Sequence, residues 1–251
     1  EILIGLVGSE MCIRDRYGIL PAETAYRAIH QPQDAKELEE ARRRLVFEEF
    51  FVFSAGLSLM RARRTVQQVQ AYNHLDLEPV CAALPFALTG AQRRAMEEIA
   101  GDLRRGVPMN RLLQGDVGSG KTVVAAAAAY WAARNGAQTA LMAPTEILAE
   151  QHYRTLRTLL EPLGVRCALL TGGLPAGEKR RVRLALAGGQ VELAIGTHAL
   201  LSETTEFLRL GMVITDEQHR FGVAQRAALS EKGQGAHLLV MSATPIPRTL
   251  N

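Results

Sequence analysis

The sequence GDVGSGKT, residues Gly115–Thr122, decides the fold because it matches the pattern G-x-x-x-x-G-K-[ST] at every fixed position. An apolar pair precedes it and an alanine-rich run follows it, so we expect a buried strand, a tight loop and a helix in that order. Glycines allow such a loop to curl until its N–H groups converge on phosphate oxygens at the helix N-terminus. The predicted nucleotide-binding residues of this loop are Gly115, Gly118, Ser119, Gly120, Lys121 and Thr122.

A second motif, MVITDEQH at Met212–His219, supplies the acidic partner of the loop. Two adjacent carboxylates at the end of a buried strand are costly unless a cation neutralises them. We expect Asp216 to bind magnesium together with the hydroxyl of Thr122, and Glu217 to orient or deprotonate an attacking water. Lys121 completes the predicted catalytic set, since its ammonium can reach the β and γ phosphates.

Short apolar runs that end in small or polar residues alternate with helical segments through the second half of the chain. Such apolar runs are typical of buried parallel strands. Their alternation with helical segments predicts a doubly wound α/β fold with a mostly parallel sheet. In such sheets the chemistry gathers beyond the carboxyl ends of the strands. The runs are TALMAP (Thr139–Pro144), CALLTG (Cys167–Gly172), LAIGTH (Leu193–His198), GMVITDE (Gly211–Glu217) and HLLVMSAT (His237–Thr244).

Upstream, the stretch from Asp34 to about Tyr72 predicts one long helix or a bent pair. It contains no proline and one glycine, and Asp34 with Glu37 forms an N-cap and N3 pair. Apolar residues recur every seven positions at Leu38, Leu45, Val52, Leu59 and Val66. At about 1.5 Å per residue such a helix would be nearly 60 Å long, more than a compact small domain needs. This length favours a helix that connects to another part of the protein over a core helix of the same domain.

Composition excludes some classes of protein. With 47% hydrophobic and 22% charged residues in 251, the chain has the make-up of a soluble globular protein, and no apolar run approaches the roughly 20 residues of a membrane helix. The acidic Glu1 stands where a secretory signal would be basic, so we expect a cytoplasmic protein. Three widely spaced cysteines indicate neither a metal cluster nor a disulfide framework, and a net charge of +3 says little about partners.

Seven motifs follow one another along the chain: LTGAQ, GDVGSGKT, APTEILAEQH, LLTGG, IGTHALL, DEQHRFGVAQR and MSATPIPRT. In this order they resemble the motifs of superfamily 2 helicases, and most closely those of the RecG family of ATP-dependent branched-DNA translocases. The upstream AIHQPQD and ARRRLVFEEFF extend the resemblance back to about Tyr17. It implies a RecA-like P-loop NTPase lobe over 79–251, the first of two, preceded by a helical linker over 17–78 that follows a wedge domain.

The resemblance also implies roles for individual residues. Gln92 of LTGAQ matches the adenine contact, since its amide can pair with a donor and an acceptor of the base, although a plain helix-start residue is the alternative. Residues that match DNA-strand contacts are Pro144, Thr145, Glu146, Thr171, Gly172, Thr197 and His198; the last four also suit ordinary turns. Residues expected to couple hydrolysis to DNA movement are Gln218, His219, Ser242 and Thr244.

The implied function is ATP-dependent translocation on branched DNA in recombination and repair. We expect ATP and Mg²⁺ as cofactors, and branched and single-stranded DNA as partners. We expect no association with a membrane. The protein is expected to be a monomer associated with the bacterial nucleoid. Helicases of this kind place ATP between two lobes, and no arginine finger of a second lobe follows in this sequence. A chain with this sequence alone is therefore expected to bind nucleotide weakly and to unwind no DNA.

Other interpretations remain open. The motor of the transcription-repair coupling factor shares RFGV and ATPIPRT, but Gln218 and the upstream segments favour the RecG family, and the same glutamine disfavours PriA. A P-loop switch or kinase has no need of the later motifs, and a non-catalytic DNA-binding module is a third class. The roles of Arg220, Gln225, Arg226 and Arg248, DNA contact or lobe support, stay undecided.

Residues Glu1–Arg16 fall outside the resemblance. LVGSEMCIRD followed by arginine can be encoded by CTC GTG GGC TCG GAG ATG TGT ATA AGA GAC AGR, which resembles the transposase adapter ligated to sequencing fragments. The preceding residues fit the fixed bases around the barcode of such an adapter. We therefore expect residues 1–16 to be translated adapter, to be left out of fold reasoning.

Overall fold

The computed structural model describes residues 16–63, 69–216 and 235–243. These residues form two compact units, one up to Arg63 and the other from Val69 onward. Of the predicted site residues, Glu217, Gln218, His219 and Thr244 lie outside the described ranges. The same holds for Arg220, Gln225, Arg226 and Arg248, and for residues 1–15 of the adapter hypothesis.

The first unit consists of helices α1 (Ala22–His30) and α2 (Ala35–Arg63). They pack through the small buried side chains of Ala25, Ala28 and Ala41. The predicted cap at the start of α2 is confirmed, because the Glu37 N–H donates to Asp34 Oδ1 at 2.7 Å and the Gln33 N–H donates to Glu37 Oε2 at 2.7 Å. Farther along, most of the predicted seven-residue row is on the surface of α2, where Leu38, Val52 and Leu59 are exposed.

The second unit contains a six-stranded sheet in the order β1-β6-β5-β2-β4-β3, and every pairing between neighbouring strands is parallel. The expectation of a RecA-like α/β lobe with a central parallel sheet is thus confirmed. The strands are β1 (Asn110–Gln114), β2 (Gln138–Met142), β3 (Cys167–Leu170), β4 (Leu193–Gly196), β5 (Leu210–Asp216) and β6 (His237–Ser242). The helices are α3 (Glu78–Ala83), α4 (Gly90–Leu103), α5 (Lys121–Arg134), α6 (Glu146–Leu160) and α7 (Ala176–Ala187), with short 3₁₀ turns at Glu161–Leu163 and His198–Leu201.

Helix α5 lies at the centre of this unit. It packs on β2 and β5 on one side and on α4 and α6 on the other, so every residue from Val124 to Ala132 is buried. A helix that is covered all round needs side chains without polar groups, and alanine also lets its neighbours approach closely. Tyr130 and Trp131 are the large exceptions, and the indole N–H of Trp131 is paired by donating to the Asp76 carbonyl at 2.9 Å.

The stretch before α3 belongs to the α/β unit, whereas the sequence placed the start of the lobe at residue 79. The Tyr72 N–H donates to the Leu103 carbonyl at 3.0 Å, and the Tyr72 ring is buried in the main core. The Asn135 amide, at the end of α5, accepts from the N–H groups of Asn73 and His74. These pairings replace helical ones, which explains why the predicted long helix does not continue to Tyr72.

Among the described helices, none is both long enough and apolar enough to cross a bilayer. Within the same ranges, no group of three or more His, Cys, Asp or Glu side chains is placed to hold a metal ion.

Cys81 and Cys167 are free thiols. Burial raises the pKa of the Cys167 thiol to about 12, so this group stays protonated and unreactive at neutral pH.

The parallel register determines where the site forms. It aligns Gln114 of β1 with Ser242 of β6, and Met241 of β6 with Asp216 of β5. On the other side of β5, Thr215 aligns with Met142 of β2. The loops that follow β1 and β2 and the end of β5 therefore meet at one edge of the sheet.

The buried imidazole of His237 predicts a pH dependence of stability. Its Nδ1 accepts from the Met109 N–H at 3.1 Å, and its ring contacts Tyr72 edge-on at 5.0 Å. Burial lowers the pKa of His237 below 6.5, against smaller opposing effects of the Gln70 backbone and the Asp102 charge. The unfolded chain therefore binds a proton that the folded chain resists, so stability is lost as the pH falls below about 6.5, by at most about 1.4 kcal/mol per pH unit.

We expect His237→Asn to weaken this dependence, because the amide oxygen retains an acceptor for the Met109 N–H and does not titrate. The measurement is the free energy of urea unfolding at pH 7.5 and at pH 5.5. His74→Asn, outside the core, is the matched control. Equal pH slopes for the wild type and His237→Asn would contradict the assignment.

Candidate nucleotide site

The phosphate loop adopts the predicted strand, loop and helix order between β1 and α5. Gly118 and Gly120 have φ angles of 82° and 81°, in the left-handed region that favours glycine. Gly120 is the N-cap of α5 and provides no side-chain hydrogen bond to the first turn of the helix. No N-cap side chain therefore occupies the start of the helix, and a helix N-terminus favours a bound anion.

The loop is tightly folded on itself and tied to β6. A Cβ atom at Gly115 would lie 2.7 Å from Ser119 Oγ, so a larger residue there would force the Ser119 side chain to move. The Gly115 N–H donates to the Ser242 carbonyl at 3.2 Å, and the Ser119 N–H donates to the Asp116 carbonyl at 3.1 Å. Ser242, predicted from sequence to couple hydrolysis to movement, thus contacts the first residue of the phosphate loop directly.

The ammonium of Lys121 lies against this loop. It donates to the carbonyl of Gly115 at 2.7 Å and to that of Asp116 at 2.9 Å. Both acceptors are neutral, whereas phosphate oxygens are charged and form stronger hydrogen bonds with an ammonium. Lys121 is therefore held close to the anion site by partners that phosphate can replace.

Gln92 lies beside the loop, but its amide is already engaged. Its side chain and that of Thr89 form a capping box at the start of α4, in which Gln92 Oε1 accepts from the Thr89 N–H at 2.9 Å. Gln92 Nε2 donates to the Ser119 carbonyl at 2.9 Å. A Cβ atom at Gly120 would lie 2.2 Å from the same Gln92 nitrogen. The side chain thus braces the phosphate loop in this conformation, and a base contact requires that it exchange these partners.

Asp216 ends β5, and its carboxylate pairs with a residue to which the sequence motifs gave no role. Asp216 Oδ2 lies 2.8 Å from His152 Nε2, and the two side chains are only 15% and 12% exposed. His152 stands on α6 in the same stripe as the buried Ala149, Leu156 and Leu160. A polar residue on the apolar face of a helix was the pattern that could have identified it.

The donor set at this edge fits magnesium. Thr122 supplies a hydroxyl oxygen and Asp216 a carboxylate, and hard oxygen ligands are those that magnesium prefers. A carboxylate this buried, paired with a histidine, gains from a nearby cation that offsets its lost hydration. Thr122 is the second residue of α5, so both donors lie at the carboxyl edge of the sheet.

The loops after β2 and β3 meet through Glu146. Thr145 is exposed and caps α6, since its hydroxyl accepts from the Leu148 N–H at 3.3 Å. Glu146 Oε1 accepts from the Gly173 N–H at 2.8 Å, and a Cβ atom at Gly172 would lie 2.9 Å from the same oxygen. The sequence predicted Glu146 as a DNA contact, and in the structure its carboxylate joins the two loops.

Other predicted DNA contacts differ in exposure. Pro144 is half-buried, while Gly172 and His198 are exposed. Thr171 and Thr197 are each only 3% exposed, although the sequence placed them among the surface contacts. Of the predicted contacts in these two turns, Gly172 and His198 are therefore the ones that a bound strand can reach.

Comparisons with known proteins place this geometry in a family. A family model described as DEAD/DEAH box helicase matches residues 89–251. The chain is 50% identical to an ATP-dependent DNA helicase RecG from Synechocystis over 241 residues, covering 95% of this chain and 29% of the relative. A RecG from Streptococcus pneumoniae is 49% identical, with 94% and 35% covered. The chain thus spans about a third of the length of these relatives.

Solved structures agree with this placement. A structure of RecG bound to a three-way DNA junction matches with a TM-score of 0.78 and 44% identity, covering 95% of this chain and 32% of that one. The UvsW helicase of bacteriophage T4 matches with a TM-score of 0.53 at 15% identity, which reflects the fold alone. On its fold, its phosphate loop and these matches, the chain belongs to the DEAD/DEAH box helicase family and is similar to RecG helicases.

Proposed function

We propose that this chain is the ATP-binding motor lobe of a RecG-type translocase that acts on branched DNA in recombination and repair. The observation that carries the proposal is the single sheet edge at which the phosphate loop, Asp216 and the Thr145 and Gly172 loops meet. The similarity to a RecG structure with a three-way junction supports branched DNA as the substrate. The proposed setting is the bacterial nucleoid, with the protein acting as a monomer.

In the proposed mechanism the residues of the loop bind and orient ATP. The N–H groups at the start of α5 and the Lys121 ammonium bind the phosphates. Thr122 and Asp216 would hold Mg²⁺, which would supply positive charge that neutralises the phosphates. Glu217 orients the attacking water and accepts its proton. Gln92 contacts the adenine after leaving the Ser119 carbonyl.

The proposed DNA surface reads no sequence. The exposed Thr145, the main chain at Gly172 and the His198 ring are suited to phosphate and sugar contacts, which position a strand without specifying bases. Glu146 sets the spacing of the two loops. Pro144 and Thr171 support these two loops, and Thr197 supports the turn after β4 that carries His198, so their contribution to DNA binding is indirect.

Coupling between hydrolysis and movement is proposed to run through β6. The Ser242 carbonyl already accepts from the Gly115 N–H, so a shift of the phosphate loop moves the end of β6. Thr244 follows in the same motif, and Gln218 and His219 follow Asp216 in the chain. These side chains can exchange hydrogen bonds as the γ phosphate is lost.

Removal of the loop ammonium tests the ATP site. We expect Lys121→Ala in the full-length protein to lower nucleotide affinity about 10- to 100-fold, because hydrogen bonds to charged groups contribute about 1.5–3 kcal/mol. DNA-stimulated ATP hydrolysis should fall to background in a phosphate-release assay with forked DNA. Lys36→Ala, on the surface of the first unit, is the matched control. Undiminished hydrolysis by Lys121→Ala would refute the motor assignment.

A pair of variants at Glu146 tests whether its carboxylate braces the loops or faces DNA. A brace predicts that Glu146→Ala lowers affinity for forked DNA several-fold, whereas Glu146→Gln, which retains the Oε1 acceptor for the Gly173 N–H, stays within about 3-fold of wild type. The measurement is fluorescence anisotropy at fixed salt concentration.

Glu150→Ala, one turn later on the exposed face of α6, is the control for loss of a negative charge. A Glu146 that faces phosphate predicts the opposite sign, because both substitutions would then remove a repulsion and tighten DNA binding.

A further inference from the structure

The contact between His152 and Asp216 joins two elements that are far apart in sequence. The residues are separated by 64 positions, and their side chains approach to 2.8 Å at the carboxyl edge of the sheet. Both are mostly buried. An ionised carboxylate only accepts hydrogen bonds, so His152 Nε2 carries the hydrogen and donates to Asp216 Oδ2.

We propose that His152 is a positioning residue of the nucleotide site, which fixes the rotamer of the Asp216 carboxylate so that its second oxygen is presented to magnesium. The proposal rests on the proposed function, in which Asp216 holds the metal. Carboxylates that bind metals are commonly oriented by a further hydrogen bond, and loss of such a partner typically weakens metal binding about 10- to 100-fold.

The position of the imidazole is set by the packing of α6. Thr145 caps the first turn of the helix, and Leu156 and Leu160 are fully buried one and two turns after His152. These contacts hold the Cα atom of His152, and the pairing of Asp216 with Met241 of β6 holds the Cα atom of Asp216. Between two fixed backbones, the hydrogen bond limits the rotamers that the Asp216 carboxylate can adopt.

The fold itself does not require a polar group at position 152. The neighbouring stripe positions are occupied by Ala149, Leu156 and Leu160, and an apolar side chain would continue that face without a buried polar atom. A polar residue that packing does not need, directed at the one carboxylate that ends β5, indicates a role in the site.

The test compares His152→Leu, which removes the donor but keeps the buried volume, with His152→Gln, whose amide can restore it. Gln151→Leu, on the exposed side of the same turn, is the control. Binding of a fluorescent non-hydrolysable ATP analogue to the full-length protein is measured by titration in Mg²⁺ and in EDTA. The ratio of the two affinities reports the contribution of the metal.

We expect His152→Leu to bind the analogue in EDTA within about 2-fold of wild type, while its enhancement by Mg²⁺ falls about 10-fold or more. His152→Gln should recover most of that enhancement, and Gln151→Leu should match the wild type. A full Mg²⁺ enhancement in His152→Leu would overturn the inference, as would an equal loss in Mg²⁺ and in EDTA or a His152→Gln no better than His152→Leu. A wild-type protein that binds no nucleotide in either condition would instead overturn the proposed function together with the inference.

Discussion

The candidate site depends on the position of β6, which pairs with β1 on one side and with β5 on the other. Its register aligns Ser242 with Gln114 on one side and Met241 with Asp216 on the other. Since neighbouring strands lie about 4.8 Å apart, the start of the phosphate loop and the acidic strand end are two spacings, or about 10 Å, from each other. Neither motif forms a site alone, and the order of the strands brings them together.

Local patterns predicted the parts of the fold whose causes are local. The phosphate loop could be predicted because its left-handed positions at Gly118 and Gly120 require glycine. The strands could be predicted because burial on both faces demands continuous apolar runs, and the parallel sheet followed from their alternation with helices. The cap of α2 at Asp34 and Glu37 was predictable for the same reason, since its partners are three residues apart.

Contacts between distant segments account for what the sequence patterns did not predict. Glu146 and Gly173 are 27 positions apart, and the role of this carboxylate depends on a loop that its own motif does not contain. Thr171 and Thr197 carry hydroxyls typical of surface turns, yet packing at the sheet edge covers them. His152 was visible as a polar interruption of an apolar stripe, but its partner was not. Tyr72 packs in the main core although it precedes residue 79, the expected start of the lobe, and no helical periodicity marks it in the sequence.

The covered alanine helix α5 limits how far the phosphate loop can tolerate change. Its side chains from Ala125 to Ala129 fill their space with single methyl groups, and neighbours press on it from the sheet and from two helices. An added methylene there must displace the helix or its surroundings, at a cost of about 1–3 kcal/mol. The phosphate loop leads directly into the N-terminus of that helix. A larger side chain in the interior therefore displaces the phosphate-binding groups, many ångströms from the substitution.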